Sequence, residues 1–296
     1  MKIKTFGYKK TPGGYLESLE KEWRKSGHPI VKRGYDIIFN IDRSQLDLAY
    51  EESISSGKPL YCLILDLSYG VHNGEFRICD EKLLSEEKKI YEHCDSLMTI
   101  SKETSRVLKE YTGLDSRHVG IPALSCERDY EERERHSYVY YFGRPMDPIK
   151  NISTVVQALN GTDFELFVSG EPCPPELFNS VAPDIKIKNF GWLDRANVNT
   201  LIKHAHLLIA SEIYTGLGMQ PIEGALMGTP CLSADIPIKR EIWGDILPLY
   251  EAQNPDDCKE KVLNFDHDGV DMEKAKEVAE WYLPNRVAER ILSHEV

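Results

Sequence analysis

The residues best suited to chemistry lie in the stretch SEIYTGLGMQPIEGALMGTPC, from Ser211 to Cys231. An apolar run at 206–210 reads as a strand that ends just before it. Gly216-Leu217-Gly218 then form a turn, and Ile222, Ala225 and Leu226 recur at the i, i+3, i+4 spacing of one helix face. A glycine turn that opens a helix presents unpaired backbone N–H groups at the positive end of the helix dipole. Such a place takes an anion, usually a phosphate. Glu223, on the first turns of the same helix, is near enough to accept hydrogen bonds from sugar hydroxyls. A second group of residues stands upstream, where a strand at 138–142 runs into the loop GRPMDPIKN, residues 143–151. Arg144 offers a planar fork of donors there, and Lys150 a point charge. With the 216–218 amides, these two cations could surround both phosphates of a diphosphate.

Alternating strands and helices must position these groups. After Asn151 comes a helix with Ile152, Val155, Val156 and Leu159 on one face. Strands follow at 165–170 and 185–190, the latter ending in Gly191-Trp192-Leu193, and then a helix carrying Val198, Leu201, Ile202 and Ala205. In the first part of the chain, a strand at 2–6 leads through the turn Thr11-Pro12-Gly13-Gly14 into a helix with Leu16, Leu19 and Trp23 on one side. Another strand spans 36–40 and a helix 45–55. The unbroken apolar run at 60–65 fits a strand buried on both faces of a parallel sheet. Asp66 stands at its C-terminal end, where ligands gather in open α/β sheets. His72 follows within a loop, 68–74. A helix at 83–93, a strand at 96–100 and a helix capped by Ser101, with Thr104, Val107, Leu108 and Tyr111 on its face, complete this part. Residues 123–137 are polar and highly charged. The expected organisation is a first domain at 1–125, a linker at 126–137, a second domain at 138–282 and a terminal helix at 283–296. Helices are expected at 256–264, where Pro255 suits the start, and at 271–282.

The chain has 296 residues, 41% of them hydrophobic and 28% charged, with a net charge of −12. That is ordinary for a globular protein with room for two domains. No apolar run approaches the roughly 18–20 residues of a membrane span, and the opening MKIKTFGYKKTPGG has no apolar signal-peptide centre. Seven cysteines without a C-x-x-C pair suggest reduced thiols. The expected location is therefore cytoplasmic. Charge is uneven, since residues 1–33 hold nine Lys or Arg against three Glu. That basic start could face a phosphorylated or polyanionic acceptor. Asp266-His267-Asp268, just ahead of a helix, reads as a turn with capping acids rather than a metal site.

Five pieces in order resemble the C-terminal domain of glycosyltransferase family 4: FGRPMDPIKN, ELFVSG, FGWL, HLLIASEIYTGLGMQPIEGALMGTPC and IKREIWGD, between residues 138 and 245. The resemblance implies an α/β protein of the GT-B fold, two Rossmann-like domains facing across a cleft. It implies retaining transfer of a sugar from a nucleoside diphosphate sugar to an acceptor hydroxyl, with no cofactor and no metal. By resemblance, Arg144, Lys150 and the amides of Gly216, Leu217 and Gly218 hold the donor diphosphate, beside the N-terminal glycines Gly13 and Gly14. Glu223 takes the ribose hydroxyls, and Gly191 and Trp192 border the base. Thr215, Gly218 and Met219 adjoin the donor sugar, and Asp66 and His72 stand near the reacting bond. Two departures matter. The family has two glutamates eight positions apart, and the first is replaced by Thr215; Glu212 lies three residues out of register. The family's His-Asp pair is Leu65-Asp66 in this chain, so only the acid matches; His72, six residues on, could substitute for the histidine or be a bystander.

The acceptor expected by default is a saccharide or lipid-linked glycan. The basic first residues favour, as an alternative, a hydroxylated DNA base of phage type. Thr215 and Leu65 leave open a non-catalytic nucleotide-sugar binding subunit, and an epimerase on the same fold is a further reading. Base, donor sugar, acceptor and oligomeric state are not legible.

Overall fold

The computed structural model describes residues 1–7, 14–67, 69–72, 75–78, 81–123 and 136–293. The chain divides into two compact units, Met1–Leu124 with Tyr282–Val296, and Ser125–Trp281.

The first unit runs β1 (Ile3–Phe6), α1 (Tyr15–Lys25), β2 (Ile37–Asn40), α2 (Leu46–Ser56), β3 (Leu60–Ile64), β4 (Tyr69–His72), β5 (Glu75–Ile78), α3 (Glu81–Tyr91), β6 (Ser96–Thr99), α4 (Lys102–Thr112) and β7 (Arg117–His118). Its parallel sheet has the order β1-β2-β3-β6-β7. All of β2 and β3 is buried, as their unbroken apolar runs require of strands covered on both faces. Ser101 caps α4 by accepting from Thr104 N at 3.0 Å. The buried face of α4 turns toward Thr112 rather than Tyr111, which is exposed.

One expectation is corrected. Residues 69–72, expected within a loop, form a strand, because β4 pairs antiparallel with β5, Tyr69 opposite Ile78 and His72 opposite Glu75. His72 is thus the last residue of a strand. The sequence carries the signal for this hairpin, Asn73-Gly74 between alternating apolar residues.

The second unit runs β8 (Tyr138–Gly143), α5 (Ile152–Leu159), β9 (Glu165–Gly170), α6 (Pro175–Asn179), β10 (Lys186–Asn189), α7 (Arg195–His204), β11 (Leu207–Ala210), α8 (Met219–Leu226), β12 (Cys231–Ala234), α9 (Pro237–Trp243), β13 (Leu249–Tyr250), α10 (Pro255–Leu263) and α11 (Met272–Glu280). Its sheet has the order β10-β9-β8-β11-β12-β13, all parallel. The chain therefore winds outward in one direction from β8 and in the other from β11. The crevice at that reversal is where open α/β sheets bind ligands. The core beneath it is apolar and continuous, with Val139, Val155, Leu166, Leu207 and Leu232 all at 0% exposure. Asp266 accepts from Asp268 N at 3.0 Å, so this acid closes a turn.

The last helix, α12 (Pro284–Leu292), belongs to the first unit. It packs on α1, where the Trp23 indole donates to Ala288 O at 3.1 Å and its ring meets Phe39 edge-on at 4.9 Å. Arg117 gathers the final carbonyls of α12, those of Arg290, Ile291 and Ser293, at 3.2, 3.2 and 2.7 Å. A guanidinium at a helix C-terminus satisfies carbonyls that have no intrahelical donor and complements the dipole. Among the described residues no helix is long and apolar enough to cross a membrane.

Two outcomes follow for this unit. Trp23→Ala removes a side chain that is 1% exposed and should cost about 4 kcal/mol, read from the denaturant midpoint. Burial pushes His118 down from 6.5 to about 4. Between those values the unfolded chain takes up a proton that the folded chain refuses, so stability falls as pH drops through that window. The loss of melting temperature between pH 7 and pH 5 should be smaller in His118→Phe.

Candidate functional site

The loops after β8 and β11 are tied together across the reversal. Ser211 Oγ donates to Lys150 O at 2.7 Å and Ile213 N to Ile149 O at 2.9 Å. Gln220, in the first turn of α8, donates to Phe142 O at 3.0 Å. Of the glycines at these strand ends, Gly170 lets two backbones approach where a side chain would not fit. Gly170 has φ +116, and a Cβ on it would lie 2.0 Å from Gly143 O. Instead Gly170 N donates to Gly191 O at 2.8 Å and Glu171 N to Gly143 O at 2.9 Å. These bonds carry the sheet one step past its strands and floor the crevice.

Gly216, Leu217 and Gly218 are buried. Gly218 stands at the N-terminus of α8 with φ 78, and no side chain caps the helix. The first amides of α8 are thus left for a ligand, the arrangement that favours an anion. Arg144 is 56% exposed at the same edge and its Nη2 lies 2.9 Å from Asp147 Oδ2. Asp147 also accepts from Ile149 N at 3.2 Å, holding the turn that carries Lys150. Thr215 and Met219, on either side of the glycine turn, are half-buried.

Glu223 is 1% exposed. Its carboxylate accepts from the Arg195 guanidinium at the start of α7. Arg195 is a residue that the motif reading missed. Asp194 places it by capping α7, accepting from Asn197 N at 2.8 Å. The signal lay in Asp194 directly after FGWL, since an acid at that spacing starts a helix. Nearby, Tyr140 shares a hydrogen bond with Ser169 at 2.5 Å, and burial pushes its hydroxyl up to about 12. Trp192 is 70% exposed beside Gly191, an indole face free to stack on a base. Arg144, Lys150, the glycine turn, Thr215, Glu223, Gly191 and Trp192 therefore line one edge of one sheet.

The remaining predicted residues belong to the first unit. Gly14 is the residue before α1, and Asp66 follows β3. Both line a cavity of about 440 Å³ with Asn40, Arg43, Leu65 and Tyr91. Arg43 donates to Asp66 O at 3.1 Å and pairs with the buried Glu87 at 2.6 Å. Burial raises the Glu87 carboxyl, and Arg43 opposes that shift. Gly13 lies outside the described residues, as does the side chain of His72. Among the described residues no group of three or more His, Cys, Asp or Glu could hold a metal.

No family model and no curated sequence matches the chain. Solved structures do match. HepE from Anabaena, in complex with UDP-glucose, superposes with a TM-score of 0.78 at 12% identity, over 98% of each chain. The lipopolysaccharide outer core galactosyltransferase WaaB gives 0.68 at 14% identity, over 98% of this chain and 97% of that one. Sucrose-phosphate synthase from Thermosynechococcus elongatus gives 0.71 at 16%, over 94% and 76%. The fold is GT-B. In that GT-B frame the glycine turn, Arg144 and Glu223 share the second unit, and Gly14 and Asp66 the first.

Gly170→Ala tests the backbone floor. With a Cβ driven against Gly143 O, the variant should lose about 3 kcal/mol or more, measured by urea unfolding, whereas Gly161→Ala, with nothing within 4 Å of its Cβ, should lose only the cost of its positive φ.

Proposed function

We propose that the chain is a glycosyltransferase that moves a sugar from a nucleoside diphosphate sugar to an acceptor hydroxyl, with retention at the anomeric carbon and without a metal. The observation that carries the reading is the uncapped N-terminus of α8 at the sheet reversal. Two cations, Arg144 and Lys150, lie on the loop opposite, and an acid, Glu223, is buried one turn in. The solved relatives add support through the donor, since HepE has been captured with UDP-glucose and with UDP.

In this mechanism the leaving diphosphate develops negative charge as the glycosidic bond breaks. The 216–218 amides, the α8 dipole, Arg144 and Lys150 offset that charge without proton transfer. Glu223, oriented by Arg195, accepts the ribose hydroxyls, and Trp192 stacks on the base. No strong side-chain nucleophile stands out in the sequence. Attack from the face the diphosphate leaves, with a departing phosphate oxygen taking the acceptor proton, gives retention. Thr215 supplies one hydroxyl where the resemblance calls for a carboxylate, which favours a donor sugar with fewer hydroxyls to hold, a pentose or deoxy sugar. The acceptor is a saccharide or lipid-linked glycan. Asp66 and His72 act near the reacting bond.

A second reading, a non-catalytic nucleotide-sugar binding subunit, is favoured by the same Thr215 and by Leu65 in place of histidine. Turnover of any donor and acceptor pair eliminates it.

Calorimetry with a panel of nucleoside diphosphates and their sugars tests the proposal, beginning with UDP. The wild type should bind one nucleoside selectively. Arg144→Ala and Glu223→Ala should each weaken that binding by about tenfold or more, with melting temperatures checked in parallel. A folded wild type that binds none of the panel refutes the reading.

A further inference from the structure

Two charged side chains lie fully buried beneath the glycine turn. Glu212 follows β11, and Lys239 comes from α9; both are at 0% exposure, with Lys239 Nζ 3.6 Å from Glu212 Oε1. That gap is beyond hydrogen-bonding distance. Neither Glu212 oxygen has a hydrogen-bond partner, and neither does Lys239 Nζ. Both groups press on the residue at the head of α8. A Cβ on Gly218 would lie 1.9 Å from Lys239 Nζ and 3.0 Å from Glu212 Oε1. The ammonium therefore rests against the backbone of the residue that ends the glycine turn and heads α8.

A pair retained for stability alone would close to a short charge-assisted contact. An apolar pair of equal volume would often serve the fold as well or better. This pair sits at ion-pair distance without a short hydrogen bond between the two side chains. Glu212 also feels a second cation. Burial pushes its carboxyl up, but Lys239 and then Lys150 outweigh that and hold it below the ordinary carboxylate range. The Glu212 carboxylate thus faces the cation under the turn and feels the charge of a cation on the loop opposite. A diphosphate at the turn would compete with it for both.

We propose that Glu212 and Lys239 form a buried charge pair that sets how tightly the glycine turn holds a diphosphate, Lys239 acting through Gly218 as a positioning residue and Glu212 as the internal competitor for its charge. The inference rests on the reading of this edge as the donor site. It also gives a consequence to the residue at 215. This chain has no carboxylate there and carries one three residues earlier, below the turn rather than beside it.

The test is calorimetric titration of the full chain with UDP and, separately, with inorganic pyrophosphate, which carries the diphosphate without base or sugar. The variants are Glu212→Gln, Lys239→Met and the double substitution. Removing the competitor should tighten binding of both probes, and removing the cation should weaken it, each by on the order of tenfold for a charge acting over several ångströms at low effective dielectric. The double variant should return to within a few-fold of wild type. A purely structural pair predicts otherwise. Both single variants would then weaken binding together, in step with their loss of melting temperature, and that outcome overturns the inference. If Lys239→Met does not fold, Glu212→Gln and the double variant decide. Failure of Glu212→Gln to tighten binding, in protein that melts cooperatively, overturns it as well. A wild type that binds neither probe refutes the donor-site reading itself, which separates that failure from failure of the charge pair.

Discussion

The second unit depends on how closely backbones approach at the C-terminal edge of its sheet. Gly143, Gly170 and Gly191 are joined there by main-chain hydrogen bonds that extend past the ends of β8, β9 and β10. A side chain at Gly170 would collide with Gly143 O. That contact keeps the floor of the crevice thin and made of backbone. The β8 and β11 loops that leave this floor are pinned to each other through Ser211 and Ile213. Such support matters for any turn that meets a charge with its backbone, because dipoles do useful electrostatic work only when they need not reorganise.

Charge at this edge is layered. Arg144 is largely exposed, and Lys150 is half-buried with its carbonyl committed to Ser211. Glu223 and Glu212 are both buried, but in different company. Glu223 has the direct Arg195 contact, whereas Glu212 has a cation held just out of hydrogen-bonding range. A buried acid without a partner is costly, so the position of its counter-charge decides what each acid can do. Glu223 is fixed by Arg195, whereas Glu212 lies under the turn beside Lys239.

The first unit solves a different problem. Its strands follow one another across the sheet without a reversal, β1-β2-β3-β6-β7, so the sheet order itself marks no binding crevice. Polar groups gather instead around the cavity beside Gly14 and Asp66. The unit is completed by α12, a segment more than 150 residues away along the chain, joined through Trp23 and Arg117. Such closure is cheap in entropy because the cost of a loop grows only slowly with its length.

The sequence by itself determined most of the element order and the position of the glycine turn that opens α8. Local signals carry that information: 3.6-residue periodicity in 152–159, the apolar run of 60–64, Ser101 at a helix start and the glycine turn before α8 all act over a few residues. The pairing of β4 with β5 was equally local, signalled by the Asn73-Gly74 pair in the sequence, where a loop was expected instead. Tertiary structure alone decided three things. It gave Glu223 its partner, since Arg195 lies 28 residues away and only the packing of α7 beside α8 brings them together. It put Lys239 under Gly218, although IKREIWGD shows only an amphipathic helix start. It placed α12 on α1. In each case the deciding contact joins residues from separate elements, and burial, not spacing, selects which side chains meet.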